Sequence, residues 1–154
     1  MELYYYFIEN IEGLINSTSM IITDFTTIEC LAEEAYANHP IFSVDLADYD
    51  NLKRASDYIK AAKLETPSLT KESFDKLSQL INEMGTDGIE EVILHITCNG
   101  NYSEDIVSQG TNMMMHLMNN LIPNACVLYG ISTKDSDESS FTILLLAGYS
   151  EKNT

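Results

Sequence analysis

Apolar residues at the start of the chain recur every three or four positions. Leu3, Phe7, Ile11, Leu14 and Ile15 share one helical face, so the spacing predicts a helix over 3–16. Tyr4, Tyr5 and Tyr6 widen its apolar belt almost all round, which predicts packing on more than one side. "NSTS" (16–19) breaks the pattern, and "MII" (20–22) is short and β-prone. In "SMIITDFTTIECLAEEAY" (19–36), Ile28, Leu31, Ala32, Ala35 and Tyr36 again repeat at three and four, predicting a helix over 26–37. Thr26 followed by Glu29 is a capping-box pattern, with Asp24 just ahead of it. A carboxylate there suits both the free amides and the dipole of a helix start.

The middle of the chain reads as a strand over 41–46 behind Pro40, a helix over 51–63 and a linker-like break at "ETPSLT" (65–70). A helix follows over 70–84, with Phe74, Leu77, Leu80 and Ile81 on one face, and "GTDG" (85–88) stops it. The pattern then changes. "EEVILHIT" (90–97) has the apolar, β-branched character of a buried strand. A long helix runs from Ser103 through Ile106, Gly110, Met113, Met114 and Leu117 to Leu121. "ACVLYGIS" (125–132) and "SFTILLLAGYS" (140–150) are strands, joined by a polar hairpin loop at 133–139. Strand, helix and strand in this order predict a parallel crossover. The fold class is therefore α/β (α+β): a mixed four-stranded sheet packed with helices.

Composition narrows the function. The chain has 154 residues, enough for one domain with a sizeable core. Its formal net charge of −16 repels phosphate backbones and anionic membranes, which argues against a nucleic-acid partner. No apolar run reaches the ~20 residues that span a bilayer. The acidic start "MELYYYFIENIEGL" does not read as a signal peptide, and a cytoplasmic location is expected. Cys30, Cys98 and Cys126 have neither disulfide nor zinc spacing and read as reduced core cysteines. The seven glycines never cluster into a phosphate-binding turn, so no nucleotide or other cofactor is expected for this chain alone. No metal site is expected either: "MMMH" (113–116) reads as core packing. Cys98 or Ser103 near His95 makes at most a weak dyad, and Glu33 with Glu34 a solvated helix face.

The last third resembles the C-terminal domain of the FtsZ/tubulin family, and FtsZ more closely. The family strand "vLvnItgg" matches at Leu94, Ile96 and Thr97. Its later segments match at Asn124, Ala125 and Gly130, and at Ala147 with Gly148. At the other end, "IENIEGLINSTSMIITDFTTI" (8–28) resembles the end of the family's long central helix and the loop after it, through Ile8, Ile11, Leu14, Ile15, Asp24, Phe25 and Ile28. The middle, 38–89, is longer than in FtsZ and departs from its pattern, and "NHPIFSVDLADYD" (38–50) followed later by a helix is closer to the tubulin layout.

The resemblance implies a domain plan of a central helix over 1–19, an FtsZ/tubulin-like C-terminal domain over 20–150 and a tail over 151–154. In FtsZ the loop reaches the nucleotide pocket of the next subunit, and two acids help activate the water that attacks GTP. Asp24 matches the first acid and is the implied catalytic residue in trans, while the second acid falls on Thr27 and the family asparagine on Ile22. Thr23, Asp24, Phe25, Thr26 and Thr27 form the implied interaction loop. The glycine-rich "GGGTGSG" loop is absent, so GTP is implied only for a missing half or a partner. The implied function is a polymerisation or interaction domain of an FtsZ/tubulin-like cytoskeletal GTPase, read as a fragment. Its partner is a GTP-binding domain or protomer, with a homo-polymer in the full protein. The alternative is a degenerate stand-alone module that caps filaments or recruits a protein without supporting hydrolysis. A small enzyme or ligand-binding protein on a similar layout is the third reading.

Overall fold

Leu145 and Leu146 are both fully buried, yet they belong to different cores. A sheet covered on both faces makes this so, because successive side chains point to opposite sides. The computed structural model describes residues 3–9, 16–42, 45–100, 105–137 and 139–151. Its strands are β1 (Leu3–Glu9), β2 (Asn16–Ile22), β3 (His39–Phe42), β4 (Tyr58–Thr66), β5 (Ile89–Asn99), β6 (Cys126–Lys134) and β7 (Ser140–Tyr149). Its helices are α1 (Phe25–Tyr36), α2 (Leu46–Ala55), α3 (Lys71–Met84) and α4 (Ile106–His116), the last running into a π-helical turn at Leu117–Leu121. The strands form one mixed sheet in the order β1-β2-β4-β7-β5-β6-β3.

One face of the sheet packs on α3 and α4 through Leu77, Ile81, Val92, Leu94, Met113 and Leu145. The other packs on α1 and α2 through Ile28, Ala32, Tyr49, Leu52, Ile93 and Leu146. Each fully buried aliphatic side chain contributes about 1.5–3 kcal/mol. The Lys53 ammonium bonds the Glu29 carboxylate at 2.8 Å and ties α2 to α1. Gly148 lies where α2 ends against the sheet, and a Cβ there would strike the Ser56 hydroxyl and Leu52.

The α/β class and the parallel β5–α4–β6 crossover are as the sequence predicts. Four features differ. Among the described residues the sheet has seven strands rather than four. In place of the predicted helix, residues 3–9 form a strand paired antiparallel with β2 from Leu3↔Ile22 to Glu9↔Asn16. The run Leu3–Ile8 is wholly apolar or aromatic, so it carries neither period clearly, and aromatic residues favour a pleated strand. Ile8 thus falls on a strand, while Ile11, Leu14 and Ile15 lie outside the described residues.

In the middle, the predicted helix over 51–63 is the end of α2 followed by β4. Ala61 and Ala62 are buried on opposite faces, so β4 shows no alternation in sequence. The helix starts earlier than the pattern suggests because Asp45 and Asp48 form a reciprocal capping box. The predicted strand over 41–46 is accordingly β3, which starts two residues earlier, at His39; Ser43 and Val44 lie outside the described residues. Finally, β7 does not pair with β6. It lies between β4 and β5, antiparallel to both, so the segment after β6 passes over the end of β5 instead of closing a hairpin.

Candidate functional site

The turn at residues 23–27 is set by what precedes and follows it. Ile22 ends β2 fully buried, and Ile28 is fully buried one turn into α1. Between these anchors the chain must leave the sheet and start a helix. Asp24 is extended, with φ −76° and ψ 115°, and is the N-cap of α1. One carboxylate oxygen accepts the Thr26 N–H at 3.1 Å, and the other accepts the Thr27 hydroxyl at 2.7 Å. The Ile28 N–H donates to the Asp24 carbonyl at 3.0 Å, closing the first helical turn. Phe25 stands 53% exposed beside it. Of the implied loop residues, Phe25 and Thr26 are exposed and Thr23, Asp24 and Thr27 half-buried, and Thr27, at the position of the second acid, is a hydroxyl bonded to Asp24.

The same end of the sheet carries a second aromatic feature. Register places Ile22 opposite Ala61, and Tyr58 opposite Tyr149. Tyr58 and Tyr149 stack at 4.9 Å with planes 6° apart, and the Lys60 ammonium lies 5.0 Å from the Tyr149 ring. The Tyr149 hydroxyl donates to the Gly85 carbonyl at 2.6 Å, and Gly85 has φ +94°, as a helix-ending glycine does. "GTDG" is thus a helix stop.

The other sequence candidates separate. Cys98 packs toward α3 and α4, while His95 belongs to the opposite face of β5, so the two form no dyad; Ser103 lies outside the described residues. Cys98 is buried, but Cys30 and Cys126 are exposed, so only one of the three is a core cysteine. Met113 is buried and Met115 is 50% exposed, as their places around α4 require. Glu33 and Glu34 are both exposed. Among the described residues, no three His, Cys, Asp or Glu side chains gather as metal ligands, and no helix is long and apolar enough to cross a membrane.

The sequence reading missed a buried polar chain. The Asn38 amide donates to the Thr97 hydroxyl at 3.4 Å. Thr97 Oγ1 is 3.2 Å from Ser132 Oγ, which is 2.9 Å from His95 Nε2. Burial pushes His95 down to about 4, because the charged imidazolium loses its water there. The signal was available: His95, Thr97 and Asn99 put polar groups at every second position of the otherwise apolar run 92–99.

No protein-family model matches the sequence, and no curated protein does. Solved structures do match in fold. An empty FtsZ dimer from M. jannaschii aligns at TM-score 0.53 and 15% identity, over 71% of this chain and 32% of that one. A point mutant of M. jannaschii FtsZ aligns at TM-score 0.53 and 15% identity, over 82% of this chain and 42% of that one. The chain is an α/β domain with an FtsZ-like fold, consistent with the FtsZ C-terminal domain. It spans about a third to two fifths of the FtsZ chains it matches.

Proposed function

We propose that this chain is an interaction domain of an FtsZ/tubulin-like cytoskeletal system, docking through residues 23–27 onto a GTP-binding protomer. The observation that carries this reading is the exposed Phe25 on a turn locked by both oxygens of Asp24. A rigid turn with a large exposed ring loses little entropy when it docks. In this reading GTP belongs to the partner, which lies in the cytoplasm with this chain, and the chain binds no cofactor of its own. Docking occurs without faster hydrolysis, because Thr27 supplies a hydroxyl already held by Asp24 where the second acid would act.

The test is sedimentation of this protein with an FtsZ-like GTPase from the same cell, with GTP present and phosphate release followed. The expected result is co-pelleting without faster phosphate release, lost on Phe25→Ala. Absence of co-pelleting, or full co-pelleting of Phe25→Ala, overturns the proposal. The match of Asp24 and Phe25 to the FtsZ loop favours a second reading, in which Asp24 promotes hydrolysis in trans. It requires phosphate release to rise on mixing and to fall back with Asp24→Asn, which keeps an acceptor at the cap.

A further inference from the structure

A cavity of about 500 Å³ opens where the last turn of α1 meets the start of α2 and the outer part of the sheet. Its wall includes Tyr36, Pro40, Leu46, His95, Ile131 and Ser132. Two polar atoms in that wall are unusual. The Tyr36 hydroxyl and His95 Nδ1 are shut off from water, and neither has a hydrogen-bond partner among the described residues. Native proteins rarely leave buried polar atoms unpaired, so two beside one cavity call for an explanation.

The buried chain assigns the missing partner. Asn38 Nδ2 only donates, so Thr97 Oγ1 accepts there, and the arrangement that gives every hydroxyl proton of the chain an acceptor has Thr97 donating to Ser132 Oγ. Ser132 in turn donates to His95 Nε2, which leaves the proton of the neutral imidazole on Nδ1. Nδ1–H and the Tyr36 hydroxyl are then two donors without an acceptor. Exposed Glu33 and Asp45 flank the cavity, and no Lys or Arg lines it among the described residues. An anion is therefore disfavoured.

We propose that this cavity binds a neutral small molecule with an apolar body and a carbonyl-type acceptor, which receives the hydrogen bonds of His95 Nδ1–H and the Tyr36 hydroxyl. Ala35, Pro40, Leu46 and Ile131 hold the apolar part. The volume suits a ligand of metabolite size. Tyr36 meets the His95 ring edge-on at 5.5 Å, and because both polar atoms are closed to water in this structure, binding requires the Tyr36 side chain to turn.

The test uses the full chain, nitrogen-15 labelled, with N-phenethylacetamide as probe and 3-phenylpropionate as its anionic counterpart. Imidazole nitrogen and Ile131 methyl resonances are followed by NMR during titration. The expected result is a saturable shift of His95 Nδ1 with the amide at millimolar concentration, and binding of the anion at least about tenfold weaker. Tyr36→Phe keeps the ring and removes one donor, and is expected to weaken the amide about tenfold. His95→Gln is expected to weaken it as well. Equal binding of the two probes, a His95 resonance that does not move, or full affinity in Tyr36→Phe overturns the proposal.

Discussion

Replacing Asp24 by alanine removes two contacts at once. The Thr26 amide loses its cap, and the Thr27 hydroxyl loses a 2.7 Å acceptor. Loss of an N-cap side chain costs about 1 kcal/mol. The second bond is part-buried, and its net worth is about 0.5 kcal/mol. Together these give about 1.5 kcal/mol, and at this chain length a kcal/mol shifts Tm by about 2–4 °C, so Asp24→Ala is expected to melt about 3–6 °C lower. Asp24→Asn keeps an acceptor over the helix start and is expected to stay within about 0.5 kcal/mol of the parent. Thermal melts by circular dichroism, supported by urea titration, read both values. An Asp24→Ala protein as stable as the parent would refute the capping argument. The pair also disentangles function from stability: a change in GTP turnover seen with alanine but not with asparagine reports the helix start, not a reacting carboxylate.

Other expected outcomes follow from single residues. His95 is held neutral, so between pH 6.5 and about 4 the unfolded chain takes up a proton that the folded chain refuses. Stability therefore falls as pH falls through that window, by about 2 kcal/mol from pH 7 to pH 5. His95→Gln is expected to lose that component, measured as the difference between urea titrations at the two pH values. Tyr49 is fully buried, and removing its ring by Tyr49→Ala is expected to cost about 3–5 kcal/mol; an unchanged melting temperature refutes this. Cys30 and Cys126 are expected to react with a thiol reagent within the folded state, and Cys98 only on unfolding, which timed labelling and mass spectrometry distinguish.

Amphipathic helices were the most legible parts of the chain. α1 and α3 bury one face each, and their caps stand in the sequence at Asp24 and Thr70. β5 and β7 were legible as apolar runs bounded by turn residues. What escaped was any segment whose burial hides its period. β4 has neighbours on both edges and helices over both faces, so Ala61 and Ala62 are equally apolar. Leu3–Ile8 carries no polar position to reveal alternation. For the site, Asp24 and Phe25 could be picked out because a helix start has local chemistry. The Asn38–Thr97–Ser132–His95 chain joins residues 35–59 positions apart, and no local pattern encodes which strands become neighbours.

Of the seven described strands, the one at the centre of the sheet comes last in the sequence. With β7 fourth of seven, three strands stand on either side of it. Until residues 140–149 leave the ribosome, β1, β2 and β4 form one ribbon and β5, β6 and β3 another, each with an open edge facing the gap. Those edges are templates for any extended chain that passes. The two halves of the sheet therefore stay unjoined until β7 inserts between them, a step that a chaperone able to shield the gap would serve well.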